Sequence, residues 1–182
     1  MPGSQAGPVE RYGVDDGGFA FSGGSTNPYW RAAAHRHREV ALELVKLATV
    51  ELTYTTLEAL DFGSGGQLYG TMDGSVTGDR LSGTLRLTNL APRRADNVNL
   101  PTLRGVLATD DGAAVWVELD GIATLRPSDS ARVFVTSFRF RTGHERYQWL
   151  NTVLGVLEGV LDSVGVGGVA RGELYDCRAT VT

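Results

Sequence analysis

This chain predicts an all-β fold, an antiparallel sandwich or barrel, and three observations carry that expectation. From Leu47 onward apolar and polar residues alternate with period two, the mark of strands that bury one face. Such runs follow one another at Leu47–Tyr54, Gln67–Thr71, Leu81–Asn89, Leu103–Thr109, Ala113–Asp120, Ala131–Arg141 and Val169–Arg178. Between them stand turn signals rich in Gly, Asp and Pro, among them Asp73-Gly74, Asp120-Gly121 and Arg126-Pro127-Ser128. The absence of a Gly-rich phosphate loop between a strand and a helix argues against a nucleotide-binding fold.

The segment before the strands reads differently. Met1–Gly24 is rich in Gly and Pro and has no sustained periodicity, which predicts a loosely packed leader over residues 1–26. Asn27-Pro28 then has the form of a helix start, with Asn as cap and Pro at the first helical position. Trp30, Ala33, Ala34, His37, Ala41 and Leu44 recur at helical spacing, so a helix over 27–46 is expected to pack on, or plug, a β domain at 47–182. Leu150–Ser163 is ambiguous: Leu150, Val153, Leu154, Leu157, Val160 and Leu161 fit one helix face. Gly155 and Gly159 disfavour a helix and fit a bulged strand.

Composition narrows the function classes. At 182 residues the chain is one domain long, and 42% hydrophobic with 21% charged residues is ordinary for a globular protein. A net charge of −4 argues against nucleic acid as a partner, which calls for a basic stripe. Cys177 is the single cysteine, so neither an internal disulfide nor a cysteine metal knuckle is expected. No signal peptide or apolar span is evident, and no membrane partner is expected. Lys46 is the one lysine and Ile122 the one isoleucine, a bias that fits a GC-rich genome; a bacterial cytoplasmic protein is the default expectation.

An ordered series of short motifs runs from Gly78-Asp79-Arg80-Leu81-Ser82-Gly83-Thr84-Leu85 through Leu103-Arg104-Gly105, Thr109-Asp110-Asp111-Gly112-Ala113 and Gly121. It continues through Phe138–Gly143, Arg146-Tyr147-Gln148-Trp149-Leu150-Asn151 and a closing strand at Tyr175. In this order the motifs resemble the domain of unknown function 3237 family, over roughly Leu47 to Thr182. The resemblance implies a bacterial or fungal type of protein with a lipocalin-like (calycin-type) antiparallel β-barrel, to which the N-terminal helix is an addition. It also implies a strand over Val153–Ser163. Two departures stand out: Asp96-Asn97 occupies the place of the family's Asp-Trp pair, and Thr102 replaces an Asp two residues before Arg104.

Candidate site residues follow from the turn at Thr109–Ala113. A two-residue Asp-Gly turn pairs Arg104 with Leu119 and sends the guanidinium into the barrel, where it needs a carboxylate, carbonyls or an anionic ligand. A three-residue loop with a bulge instead places Arg104 outside, opposite Glu118, as a surface pair of little energetic value. Tyr147, Trp149 and Asn151 alternate, so on extended backbone they share a face and form either a ligand lining or the packed end of the barrel. Asp96 lies in the long connection Asn89–Thr102, which has the length of a lid. His35 and His37 sit two apart on the expected helix and cannot share an ion, so no metal is expected, and no Gly-x-Ser-x-Gly elbow marks a serine hydrolase.

The expected function is therefore a small-molecule-binding barrel that uses no cofactor. In its catalytic form it is an isomerase, cyclase or dehydratase on a carbonyl-rich metabolite, with Arg104 holding an enolate or carboxylate and Tyr147 or Asp96 moving a proton. Trp149 and Asn151 are the expected ligand-binding residues. A carrier without turnover is the second class. An assembly protein is the third, since the two-residue turn places Leu107, Trp116 and Glu118 outside and an exposed Trp116 favours a homodimer.

Overall fold

The computed structural model describes residues 42–180. Eight strands are present: β1 (Leu42–Asp61), β2 (Gly66–Thr77), β3 (Gly83–Arg93), β4 (Thr102–Thr109), β5 (Ala114–Leu125), β6 (Arg132–Arg141), β7 (Leu154–Leu161) and β8 (Val169–Ala179). Each pairs antiparallel with the next, and β8 returns to β1, so the sheet closes into a barrel. A 3₁₀ helix at Glu145–Thr152 connects β6 to β7.

The period-two pattern is what fills the barrel. Val50, Leu52 and Tyr54 of β1, Leu85 and Leu87 of β3, and Val115, Val117 and Leu119 of β5 all point inward and are buried. β1 runs for 20 residues and bends twice. Its register shifts against β8 between Lys46 and Ala48 and against β2 between Tyr54 and Thr56, and bulges of this kind curve a long strand around a barrel.

Two sequence expectations change and one ambiguous segment is resolved. β1 begins at Leu42, so residues 42–46 of the expected helix are strand. Leu42 pairs with Ala179 and Leu44 with Cys177, and this pairing with β8 overrides the helical spacing of the apolar residues. The rest of that helix, the leader, His35 and His37 lie outside the described residues. Asp73-Gly74 and Asp120-Gly121 are not turns but run through β2 and β5. At Gly121 an added Cβ would stand 2.6 Å from the Thr136 Cα, so glycine is there for close strand approach. Finally, Leu154–Leu161 is a strand, as the family resemblance implies, although Leu150 belongs to the 3₁₀ helix. Gly159 faces inward, where an added Cβ would meet the Phe134 Cζ at 2.7 Å; the glycine makes room for that ring.

Candidate functional site

The Thr109–Ala113 turn settles the register on which the site expectations depended. Thr109 N donates to Ala113 O (2.9 Å) and Gly112 N to Thr109 O (2.9 Å), while Gly112 takes φ +88°. This is the three-residue loop with a left-handed glycine and a bulge. The Thr109 hydroxyl reinforces it by accepting from Ala113 N at 2.9 Å. Arg104 consequently pairs with Glu118 and lies on the outer face, not in the lumen. Leu107 turns inward and is fully buried, whereas Trp116 is outside and 42% exposed.

Arg104 is nevertheless more than a loose surface charge. Its Nη2 donates to both oxygens of Asp120 (2.9 and 2.8 Å), and its Nη1 to the carbonyls of Leu103 (2.7 Å) and Leu119 (2.9 Å). Asp120 also accepts from Arg139 (3.1 Å), and Glu118 sits between Arg139 (3.5 Å) and Arg141 (3.2 Å). The Trp116 indole donates to Glu118 at 3.1 Å, and this bond, followed by the arginine charges, holds the Glu118 carboxyl below its usual range. The cluster clamps β4, β5 and β6 from outside.

One end of the barrel is closed by the 3₁₀ helix. With about three residues per turn, Tyr147 and Leu150 fall on one side and are the buried pair. Tyr147, Trp149 and Asn151 therefore do not share a face as they would on extended backbone. The Tyr147 hydroxyl donates to Asp111 (2.9 Å), which also accepts from Thr109 (2.6 Å) and Arg146 (2.7 Å). These bonds, with that of Thr109 the strongest, pull the Asp111 carboxyl below its ordinary value. Trp149 is partly buried with the Arg80 guanidinium 4.1 Å above its ring, and Asn151 bridges the backbone of Thr142 through both amide atoms. These residues fasten a plug.

The opposite end, which carries the β1–β2, β3–β4, β5–β6 and β7–β8 connections, encloses a cavity. About 60 Å³ of it is open to the centres of water-sized molecules. A water needs roughly 10–15 Å³ on that measure, so there is space for several waters or a small organic group. Leu119, Leu157, Met72 and Phe134 give it apolar walls. Five polar residues interrupt them: Tyr54, Asn89, Asn99, Arg132 and Thr136.

Their hydrogen bonds are unequal. Asn89 Nδ2 donates to the Tyr54 hydroxyl at 2.6 Å, and Asn89 Oδ1 accepts from Thr102 N at 3.3 Å. The Tyr54 oxygen thus accepts, leaving its own proton to point elsewhere. Burial pushes the Tyr54 phenol above its usual value, with the Asn89 bond partly opposing, so at neutral pH it is a proton donor. Asn99 Oδ1 and the Thr136 hydroxyl are buried and have no partner among the described residues. Buried polar groups are normally paired, so two orphans on one cavity call for a guest or bound water.

Asn99 is held by its backbone: the segment 94–101 crosses this end of the barrel, with Asn99 N donating to Ala123 O (3.0 Å) and Ala123 N to Asn99 O (2.9 Å). Asp96, in the same segment, is half exposed, pairs with Arg94 at 2.6 Å and is not among the cavity lining. The arginine that lines the cavity is Arg132, not Arg104. Its signal was present in the sequence: Arg132, Phe134, Thr136, Phe138 and Phe140 form one alternating stripe, as do Leu85, Leu87, Asn89 and Ala91. A polar residue on an apolar stripe marks a lumen group.

These features define a closed eight-stranded antiparallel barrel with one plugged end and a polar-studded apolar pocket at the other. The chain belongs to the family of proteins of unknown function designated DUF3237, whose model matches residues 42–167. Solved structures share the barrel at low identity. A conserved protein of unknown function from Rhodopseudomonas palustris is 22% identical, with a TM-score of 0.65 over 76% of this chain and 99% of its own. A β-barrel-like protein from Acinetobacter baumannii is 17% identical, with a TM-score of 0.66 over 76% and 97%. An enzyme from Penicillium herquei is 22% identical, with a TM-score of 0.54 over 74% and 94%. No curated protein sequence matches the chain.

Proposed function

We propose that the barrel binds a small molecule in the pocket lined by Tyr54, Asn89, Asn99 and Thr136. The observation that carries this reading is a pair of buried polar atoms with no partner among the described residues, Asn99 Oδ1 and Thr136 Oγ1, both on residues that line the cavity. Leaving such groups unmet costs about 1–3 kcal/mol each, and a ligand that supplies their partners recovers it. The arginine–carboxylate cluster of β4, β5 and β6 lies on the outer face, where a barrel that meets lipid carries an apolar belt.

In its catalytic form the reading is a cofactor-independent isomerase, cyclase or dehydratase on a carbonyl-rich metabolite. Tyr54, neutral and with its proton uncommitted, is the lumen group suited to protonate a carbonyl or enolate oxygen. Kinship of fold with the Penicillium herquei enzyme is support for turnover on this barrel, at the level of architecture alone. A carrier that binds without turnover uses the same pocket. Recovery of a bound compound chemically unchanged after incubation favours the carrier; its conversion, lost in Tyr54→Phe, favours the enzyme.

The pocket itself is tested by filling it. Ala123 and Ala170 line the cavity and are nearly fully buried. Ligand-observed NMR against a library of small hydroxylated aromatics is expected to yield binders of the wild type that Ala123→Phe and Ala170→Leu no longer bind, with the fold retained. Equal binding by the filled variants overturns the pocket assignment.

A further inference from the structure

The rim of the pocket carries a charge that its own surroundings do not neutralise. Arg132 is the first residue of β6, on the inward register that continues through Phe134 and Thr136, and it lines the cavity. Among the described residues its side chain makes one hydrogen bond, from Nη1 to the carbonyl of Asn97 at 2.7 Å. Among the described residues no carboxylate lies within ion-pair distance of it, although Asp61, Asp96 and Asp129 at the same end are each paired with another arginine. Arg93, the last inward residue of β3 and itself paired with Asp61 at 3.2 Å, stands close enough to act on Arg132. Burial and then Arg93 pull Arg132 below the ordinary arginine value, yet a guanidinium stays charged. A partly desolvated cation with four donors unspent, facing a cavity and repelled by its neighbour, is favourably met by an anion.

We infer that the ligand is an anionic amphiphile: an apolar, ring-sized body with a carboxylate or enolate oxygen at Arg132 and a hydroxyl deeper in the lumen at Asn99 and Thr136. This rests on the pocket reading above and adds the ligand's class and orientation. Arg132 and Thr136 are four residues apart on one strand, so their Cα atoms are roughly 13 Å apart, a distance that the arginine side chain shortens to the length of a small aromatic acid. Phe134 stands between them on the same face and supplies the surface against which a flat body stacks. The inner hydroxyl donates to Asn99 Oδ1 and exchanges a bond with the Thr136 hydroxyl. Arg132 is thus the residue that selects for charge, and the two inner groups select for the hydroxyl.

The test compares charged and neutral forms of one body. 4-Hydroxybenzoate and the longer 4-hydroxycinnamate are titrated, each beside its methyl ester, into wild type, Arg132→Gln, Arg132→Lys and the filled variant Ala123→Phe, with affinities read by NMR titration. The acids are expected to bind the wild type roughly tenfold to a hundredfold more tightly than the esters, the span of one charged hydrogen bond. Arg132→Gln, which can still donate to the Asn97 carbonyl, is expected to abolish that ratio, and Arg132→Lys to restore most of it. Acid and ester binding the wild type equally well, with both lost in Ala123→Phe, overturns the anionic class and leaves the pocket intact. Acids that bind Ala123→Phe as well as wild type overturn the pocket and the inference together. An acid preference that survives Arg132→Gln removes Arg132 as its source.

Discussion

The two ends of this barrel are built from the same strands and the same alternation, yet they are finished in opposite ways. At the plugged end the inward positions carry large side chains: Phe138 and Phe140 stack at 4.8 Å, and Tyr147 and Leu150 close over them. The polar groups that fasten the plug are paired, with Asp111 accepting from Tyr147, Thr109 and Arg146. At the other end the inward positions of the same strands hold Thr136, Asn89 and Arg132, and two of the buried polar atoms are unanswered. Packing at one end supplies the rigidity that lets the other end tolerate a cavity. The difference separates the end that packing closes from the end at which the pocket is proposed.

That contrast can be broken by substitutions made in pairs. The largest expected effect is Phe138→Ala at the plugged end, where a fully buried ring is removed, at a loss of about 3–5 kcal/mol of unfolding free energy in urea. Phe134→Ala, on the same strand beside the cavity and only partly buried, is expected to lose well under half as much. Similar losses at both sites would mean that the two ends are packed alike.

Next in size is Tyr147→Phe, which removes the hydroxyl that donates to Asp111 and is expected to lower stability by about 1 kcal/mol while leaving ligand affinity unchanged. A change in affinity would return Tyr147 to the binding site. The same contact predicts a pH dependence. Asp111 is held below its usual carboxyl value, so its contribution is fully present above the unfolded value of about 3.9 and is lost as pH falls through the lower folded value. Asp111→Asn should therefore flatten the fall in stability below about pH 4, read as urea midpoints from pH 6 to pH 2. An unchanged acid limb would show that other carboxylates carry it.

The smallest stability effect is expected at the pocket. Thr136→Val removes a buried hydroxyl that has no partner among the described residues, so unfolding free energy should stay within about 0.5 kcal/mol of wild type or rise, while affinity for 4-hydroxybenzoate falls. A clear loss of stability would show that the hydroxyl is already bonded in the free protein.

The architecture was largely legible in the sequence, because period-two alternation with a buried face specifies both strands and their inner side. The strand ends were less so. Asp73-Gly74 and Asp120-Gly121 carry turn chemistry, but inside a curved barrel the glycines serve close strand approach, which a local reading cannot distinguish from a turn. Whether Arg104 faces in or out turned on one residue of register, which the sequence left open. Asp110-Asp111-Gly112 accommodates a two- or a three-residue loop, and what selects the latter is the Thr109 hydroxyl bonded to Ala113 N, a contact visible only once the chain is folded. That slip reverses every side chain of β4 and sends Arg104 outside. Tyr147, Trp149 and Asn151 share a face only on extended backbone, whereas the segment coils into a 3₁₀ helix. Arg132 and Thr136 needed no such choice; they stand on a stripe of phenylalanines where polar residues are out of place.

The most direct test of the account is where a guest lands. Chemical-shift mapping of the ¹⁵N-labelled protein during titration with 4-hydroxybenzoate is predicted to perturb the amides around Asn99, Ala123, Arg132 and Thr136 and to leave Tyr147–Leu150 unmoved. Shifts centred on the 3₁₀ helix, or on the outer arginine cluster around Arg104, would contradict it.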